Sequence, residues 1–342
     1  MTEPNDLPIA IAGAGSVGCY IGAHLAAAGR RVTLLARPAL AAQISRHGLV
    51  ASDLEGHTVN VAPERLTVST DPAEAFREAK LILVSVKSHD TDAMAALIAE
   101  HAPADALAVS LQNGVCNADI LREHLGPDRV VDAMVPFNVV QNRPENAAPR
   151  FHRASGGVIL VETQPADVQT ALHVPNLPVA GHDDIEAALW GKLLMNLNNG
   201  LNALSGLPLV QQFGDRRWRA LVARQLGEGM AVLGAAGIRY APYEGVPQRA
   251  LALALRLPDP LFRLAAGKML SMDKSARSSM WEDLQAGRRT EIDHLQGEII
   301  RLADQYGRPA PLNRRVLALV KDAERAKKGS PGLPPEAVSE AL

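Results

Sequence analysis

The chain has 342 residues, more than one ordinary domain, so we expect two domains, with one large domain as the alternative. Its formal charge is −2, whereas proteins that bind nucleic acid or anionic lipid are typically strongly basic. Two cysteines, no zinc-spaced Cys/His cluster and no apolar run of about 18 residues argue against a disulfide scaffold, a metal site and a membrane span. Met1–Leu7 lacks the order of a signal peptide, so we expect a cytoplasmic protein.

Short apolar runs alternate with helical patterns through the first half of the chain, which is typical of βαβ units and a parallel sheet. The predicted strands are Ile9–Ala12, Arg31–Ala36, Leu81–Val86, Ala106–Leu111, Val130–Val135 and Gly156–Glu162. Residues 141–150 are polar and contain two prolines, so the pattern predicts a loop there.

From Asp184 onward the pattern is helical almost without interruption. The predicted helices are Ile185–Leu204, Arg216–Ala236, Pro247–Leu255, Met280–Gln285 and Glu291–Gln305. A proline- and glycine-bearing segment ends at His182, and we place the domain boundary there. Residues 1–182 are thus expected to form an α/β domain, and residues 183–342 an all-helical domain.

A glycine-rich turn follows the first predicted strand directly and opens an apolar helix; it reads Gly13-Ala14-Gly15-Ser16-Val17-Gly18. In such a turn Gly13 allows the tight bend, Gly15 lets the backbone approach a pyrophosphate, and Gly18 lets helix and strand pack closely. Because strand, turn, helix and next strand follow in order, the motif predicts a dinucleotide site in a Rossmann-type, doubly wound parallel sheet. A glycine-rich turn without function is the alternative.

Arg37 ends the second predicted strand, where NAD enzymes usually carry Asp or Glu for the ribose hydroxyls. A guanidinium can form paired, charge-assisted hydrogen bonds to a 2′-phosphate. Arg37 therefore favours NADP(H) over NAD(H), with a merely solvated arginine as the alternative.

A polar stripe runs along the first helix of the second domain. Lys192, Asn196 and Asn199 are spaced by four and three residues, opposite a broad apolar surface. One cation followed by amides suits a partly buried cleft that faces a polar ligand, whereas a solvated face usually carries several charges.

A second cluster lies between residues 278 and 293, where its polar residues also have structural explanations. Ser279 and Glu282 have the spacing of a capping box, and Glu291 could be a first-turn carboxylate that favours the helix dipole. The spacing alone leaves both interpretations open.

The motifs in order resemble the ketopantoate reductase (2-dehydropantoate 2-reductase) family from about Ile9 to Gln305. They are the glycine turn, Arg37, Val86-Lys87, Gln112-Asn113-Gly114, Lys192 with Asn196, Ser278-Ser279-Met280 with the following Asp283, and Thr290-Glu291-Ile292-Asp293. The resemblance implies a Rossmann domain (residues 1–182) and a helical substrate and catalytic domain (residues 183–342). It also implies NADPH in the cleft between them, reduction of a 2-oxo acid, and a place in pantothenate biosynthesis.

The resemblance also implies roles for individual residues. Lys192 would be the catalytic acid, with Glu291 near it and the cofactor; Asn196 and Ser279 would bind the substrate. Asn113 would contact substrate and cofactor, and Lys87 would lie by the nicotinamide and ribose. The chemistry suits these residue types, since an ammonium can stabilise and protonate a developing alkoxide, and desolvation would lower the lysine pKa. The expected partner is a small 2-oxo acid, without nucleic acid or membrane, and a homodimer is the candidate assembly.

One position departs from the family pattern. The family usually has a second asparagine eight residues after the lysine, where this chain has Gly200, and Asn199 should point elsewhere because one residue turns a helix by about 100°. Reduction of a different 2-oxo acid therefore stays open. A β-hydroxyacid dehydrogenase and a non-catalytic NADPH-sensing protein are the further alternatives.

Overall fold

A computed structural model describes residues 7–267 and 275–340 of the chain. Residue contacts divide it into two compact units, Met1–Glu186 and Ala187–Leu342. The division falls within the first turn of a helix that begins at Ile185, a few residues after the boundary expected from the sequence.

The first unit is built on an eight-stranded sheet in the order β12-β11-β8-β7-β6-β1-β2-β5. Its strands are β1 (Ile9–Ala12), β2 (Val32–Leu35), β5 (Thr67–Ser69), β6 (Leu81–Val84), β7 (Leu107–Ser110), β8 (Val130–Met134), β11 (Ile159–Glu162) and β12 (Val179–His182). The neighbouring strands β5, β2, β1, β6, β7 and β8 are all parallel to one another. In this sheet only the β8–β11 pair is antiparallel. The α/β class and the parallel sheet are confirmed, as are all six predicted strands; β5 and β12 were not anticipated.

A second, four-stranded sheet in the order β4-β3-β10-β9 was missed by the sequence reasoning. Its strands are β3 (Leu49–Ser52), β4 (Thr58–Val61), β9 (Val139–Asn142) and β10 (Arg150–Arg153). The loop predicted for residues 141–150 is wrong at both ends, since Gln141 and Asn142 belong to β9 and Arg150 starts β10. These strands are four residues long and mostly lack a continuous apolar pattern. They form through pairing with strands that are distant in sequence, which local residue preference does not predict.

The helices of the first unit are α1 (Ser16–Ala27), α2 (Pro38–His47), α3 (Pro72–Phe76), α4 (Thr91–His101), α5 (Asn117–Leu125) and α6 (Ala166–Leu172). Helix α1 contacts β1 and β2 of the large sheet and all four strands of the small sheet. Its residues from Gly18 to Ala26 are all buried, in one apolar core with both sheets. The helix that follows the glycine turn is therefore held on two sides.

The second unit is helical. Its helices are α7 (Ile185–Asn196), α8 (Asn198–Ser205), α9 (Leu209–Gly214), α10 (Arg216–Ala236), α11 (Gln248–Leu255), α12 (Asp259–Ala265), α13 (Ser279–Gln285), α14 (Ile292–Gln305), α15 (Pro311–Ala326) and α16 (Pro335–Ser339). The single helix predicted over residues 185–204 is interrupted at Leu197, and α9, α12, α15 and α16 were not anticipated. No helix in the described ranges is both long and apolar enough to cross a bilayer.

Candidate active site

The glycine turn follows β1 at the carboxyl edge of the large sheet. Gly13 has a φ of +103°, and a Cβ built on it would lie 2.6 Å from Val86 Cγ1. A Cβ on Gly18 would lie 2.5 Å from the Gly13 carbonyl oxygen and 2.5 Å from Ser85 Oγ. Ser85 Oγ donates a 2.7 Å hydrogen bond to that carbonyl, which ties the turn to the neighbouring β6. Both positions therefore require glycine for the protein's own packing.

Gly15 differs from the other two glycines. It is exposed, its φ is −87°, and beyond its chain neighbours and its own helix no atom of the described residues lies within 4 Å of a Cβ built there. Gly15 is also the N-cap of α1, and no side chain caps that helix end. Open space in front of an uncapped helix N-terminus fits the pyrophosphate of a dinucleotide, because amide groups and the helix dipole there favour an anion.

Arg37 lies two residues after β2, the strand that pairs with β1 in register from Ile9↔Val32 to Ala12↔Leu35. The Ala14 amide donates to the Leu35 carbonyl, so the turn and the end of β2 are adjacent. The Arg37 side chain is exposed and has no hydrogen-bond or ion-pair partner within the described ranges. A guanidinium in this position can bind an external anion.

Lys87 and Asn113 follow β6 and β7, the next strands along the same edge. A buried polar network joins their loops. Gln112 Nε2 donates to the Val86 carbonyl (3.1 Å) and to Thr91 Oγ1 (2.7 Å), and Thr91 donates to Asn117 Oδ1. The Asn113 carbonyl accepts hydrogen bonds from the Ser88 hydroxyl and the Asn117 amide. Sequence reasoning singled out Lys87 and Asn113 but missed the roles of Thr91, Asn117 and Ser88, whose polar, partly helical setting gives no local signal.

Lys192 lies in α7 of the second unit, and only 8% of its surface is exposed. Burial disfavours the ammonium and lowers the lysine pKa from 10.5 to about 8, while the nearby Glu291 carboxylate opposes that change. Glu291 is the N-cap of α14 and is itself buried, without a side-chain capping bond. The two residues thus form a buried acid and base pair, and Lys192 can donate a proton near neutral pH.

Asn196 is the last residue of α7, and it is partly exposed. Asn199 lies in α8, beyond the interruption at Leu197, so the predicted stripe is divided between two helices. The Asn199 carbonyl accepts a 3.1 Å hydrogen bond from Ser278 Oγ. A Cβ on Gly200 would lie 2.7 Å from Val316 Cγ1 and 3.0 Å from Gln296 Nε2, so this position faces packed protein rather than open space.

Ser279 is the first residue of α13 and not its cap. The capping-box interpretation is therefore wrong, because Ser278 is the N-cap and its hydroxyl accepts from the Trp281 amide. Asn202 fixes this helix start on α8, since its Oδ1 accepts a 2.8 Å bond from the Ser278 amide. Its role was missed in the sequence, where it is one of several asparagines in α8. Ser279 is partly exposed, and its side chain does not cap the helix.

The expected residues thus form two groups, one in each unit. The glycine turn, Arg37, Lys87 and Asn113 follow β1, β2, β6 and β7, which are neighbours in the sheet. This strand order reverses direction beside β1, and open α/β sheets bind dinucleotides at such a point. In the second unit, the structure places the buried Lys192–Glu291 pair at the start of α14 and places Ser279 at the start of α13.

Comparisons with known proteins agree with this architecture. Residues 9–162 match the family model for ketopantoate reductase PanE/ApbA, and residues 184–324 match its C-terminal model. A curated 2-dehydropantoate 2-reductase from Halobacterium salinarum is 27% identical over 334 residues, covering 93% of this chain and 99% of the relative.

Two solved structures have similar folds. A PanE/ApbA family ketopantoate reductase from Ralstonia eutropha JMP134 superposes with a TM-score of 0.78 at 33% identity, covering 94% of this chain and 100% of that chain. A D-mandelate dehydrogenase with NADH and anilino(oxo)acetate superposes with a TM-score of 0.76 at 21% identity, covering 94% of this chain and 99% of that chain, and this likeness shows the fold alone. The chain therefore belongs to the ketopantoate reductase family of nicotinamide-dependent oxidoreductases.

Proposed function

We propose that this protein reduces a 2-oxo acid, with 2-dehydropantoate as the first candidate, to the 2-hydroxy acid with NADPH. Lys192 is the proton donor. The observation that carries this proposal is the buried Lys192 ammonium beside the buried Glu291 carboxylate, with the lysine pKa lowered to about 8. The substrate class comes from the family and from the curated 2-dehydropantoate 2-reductases that resemble this chain.

The chemistry follows from charge development at the ketone. When bound, NADPH supplies a hydride to the carbonyl carbon, and the carbonyl electron pair moves to the oxygen. Lys192 stabilises that negative oxygen and gives it a proton, leaving a neutral amine that solvent reprotonates. Glu291 keeps the lysine protonated, since a nearby carboxylate favours the ammonium. A lysine with an ordinary pKa would give up its proton less readily at neutral pH.

The preference for NADPH rests on Arg37. Its exposed guanidinium lies beside the end of β2 and has no partner in the described part of the chain, which leaves it available to a 2′-phosphate. Gly13 through Gly18 would hold the pyrophosphate, and Lys87 and Asn113 would contact the nicotinamide ribose end. Residues 1–182 are thereby assigned to the cofactor and residues 183–342 to substrate and catalysis.

Asn196 and Ser279 are the proposed substrate-binding side chains of the second unit. Both are partly exposed and polar, and both lie on helix ends, Asn196 at the end of α7 and Ser279 at the start of α13. Asn113 is the third, from the first unit. A homodimer is the assembly to test, by light scattering of the purified protein.

Gly200 supports a second candidate substrate. A Cβ there would meet Val316, Gln296 and Ile292, so the chain cannot place an amide side chain at this position without repacking. The chain has Gly200 where the family pattern places a second asparagine. We accordingly include 2-oxo acids that lack the distal hydroxyl of 2-dehydropantoate as alternative substrates.

A substrate panel tests the proposal. NADPH and NADH oxidation are followed by absorbance with 2-dehydropantoate and other 2-oxo acids, and substrates are ranked by kcat/KM. We expect turnover with NADPH, its loss in Lys192→Met, and its retention in Lys80→Met, a matched change at an exposed lysine paired with Asp105. Tight NADPH binding without turnover of any 2-oxo acid would indicate a sensing protein, and oxidation of 3-hydroxy acids would indicate a β-hydroxyacid dehydrogenase.

A further inference from the structure

A buried glutamine crosses from α14 to the junction of α7 and α8. Gln296 is completely buried, and its Nε2 donates a 2.7 Å hydrogen bond to the Leu197 carbonyl. Leu197 is the single residue between the two helices, and its φ of −56° and ψ of −33° keep it in the right-handed helical region. This bond therefore joins α14 to the point where the Lys192 helix is interrupted.

Gly200 makes the room that this bond needs. A Cβ at position 200 would lie 3.0 Å from Gln296 Nε2 and 2.7 Å from Val316 Cγ1. The first distance is tighter than ordinary van der Waals contact and the second is a clash. A larger residue at 200 would therefore push the glutamine amide away from the Leu197 carbonyl.

The bond has a fixed spacing to the proposed proton donor. Leu197 lies five residues after Lys192, and Gln296 lies five residues after Glu291. The Lys192–Glu291 interaction and the Gln296–Leu197 bond therefore link the same two stretches of chain, residues 192–197 and residues 291–296.

We propose that Gln296, with Gly200 opposite it, is a positioning residue that sets the register of the Lys192 helix against Glu291. The inference rests on the proposed role of Lys192. Gln296 is itself fully buried, so it acts through the backbone of Leu197 and not by touching a substrate.

The consequence is a dependence of Lys192 titration on Gln296. Burial lowers the lysine pKa, and among the described residues Glu291 is the charged group that acts against this. If the register slips and the carboxylate moves away, the ammonium loses that support and its pKa falls further. The alkaline limb of the activity profile then moves to lower pH, by about one pH unit when the carboxylate no longer acts on the lysine.

The experiment compares three variants with the wild-type protein. Gln296→Met removes the amide but keeps the side-chain length, and Gly200→Ala displaces the amide from the opposite side. Gln225→Met is the matched control, because Gln225 is a buried glutamine of the same unit whose amide has no hydrogen-bond partner among the described residues.

Two readouts are taken for each protein: the pH profile of kcat/KM, and the pH dependence of Lys192 acetylation measured by peptide mass spectrometry. We expect Gln296→Met and Gly200→Ala to lower both midpoints, and Gln225→Met to leave both unchanged. Unmoved midpoints in the first two variants, or an equal shift in the control, would overturn the proposal. If Gln296→Met does not fold, as judged by circular dichroism, Gly200→Ala decides.

Failure of the proposed function has a different signature. A wild-type enzyme without an alkaline limb would remove Lys192 as proton donor, while acetylation would still report whether Gln296 sets its titration. If the wild-type profile has an alkaline limb and the variants leave its midpoint unchanged, only the proposed role of Gln296 is wrong.

Discussion

Gly15→Ala should separate cofactor binding from folding. Outside its own turn and helix, no atom in the described part of the chain lies within 4 Å of a Cβ at this position, and the backbone is in an extended region that alanine adopts. Since alanine restricts the unfolded chain, the cofactor-free protein should gain about 0.4–1 kcal/mol of unfolding free energy. The same methyl group would occupy the space assigned to the pyrophosphate. Crowding of that kind costs about 1–3 kcal/mol, which raises the Kd for NADPH about 5- to 150-fold.

Gly18→Ala provides the contrast. The added Cβ would lie 2.5 Å from a backbone carbonyl oxygen and from Ser85 Oγ. The unfolding free energy of the cofactor-free protein should therefore fall by about 1–3 kcal/mol or more. Gly227→Ala, at an open position in α10, controls for the general effect of replacing glycine with alanine.

Thermal unfolding with and without NADPH, together with Kd from fluorescence titration, measures both quantities. We expect Gly15→Ala to melt at or slightly above the wild-type temperature and to show a smaller NADPH-induced rise in Tm. Wild-type NADPH affinity in Gly15→Ala would refute the placement of the pyrophosphate. If Gly15→Ala destabilised the cofactor-free protein as much as Gly18→Ala does, the space beside Gly15 would not be open.

Three further predictions concern the charges and polar contacts of the site. Arg37→Asp should raise KM for NADPH far more than for NADH in steady-state assays, and equal effects would refute 2′-phosphate recognition. The kcat/KM profile should fall about tenfold per pH unit above a pH of about 8, since only the Lys192 ammonium donates a proton. Glu291→Gln should move that fall to lower pH. A kcat/KM that stays constant into strongly alkaline buffer would contradict Lys192 as the proton donor. Gln112→Ala should cost about 1–3 kcal/mol in urea unfolding and raise KM for NADPH, because the Val86 carbonyl and the Thr91 hydroxyl lose a shared buried donor; unchanged KM would show that the loops hold without it.

The strand, glycine turn and helix that begin the first unit could be predicted because their signal is local. The strand ending at Ala12, the turn and the start of α1 are consecutive in sequence, and Gly13 and Gly18 have steric reasons in the protein's own packing. The small sheet could not be predicted, because β3 and β10 pair across about a hundred residues and neither has a distinctive pattern of its own.

The helical half was predicted in outline and missed in detail. The cap of α13 was assigned one residue late, to Ser279, because two serines are adjacent and only the backbone decides which one caps. The interruption at Leu197 also has no local signal, and the side chain that bonds to the Leu197 carbonyl, Gln296, lies about a hundred residues away. Asn202 and Gln296 act through tertiary contacts, which single-sequence spacing does not encode.

The burial of α1 between two sheets limits how the cofactor site can change. Any residue from Gly18 to Ala26 that alters in size must be accommodated by a strand on one side or the other, so the helix cannot tilt to re-aim its N-terminus. The side chains of Arg37 and Lys87, in the loops after β2 and β6, lie at exposed or partly exposed positions and carry no such restriction. Engineering that aims to convert this protein between dinucleotides should therefore begin at those two side chains and leave the helix unaltered.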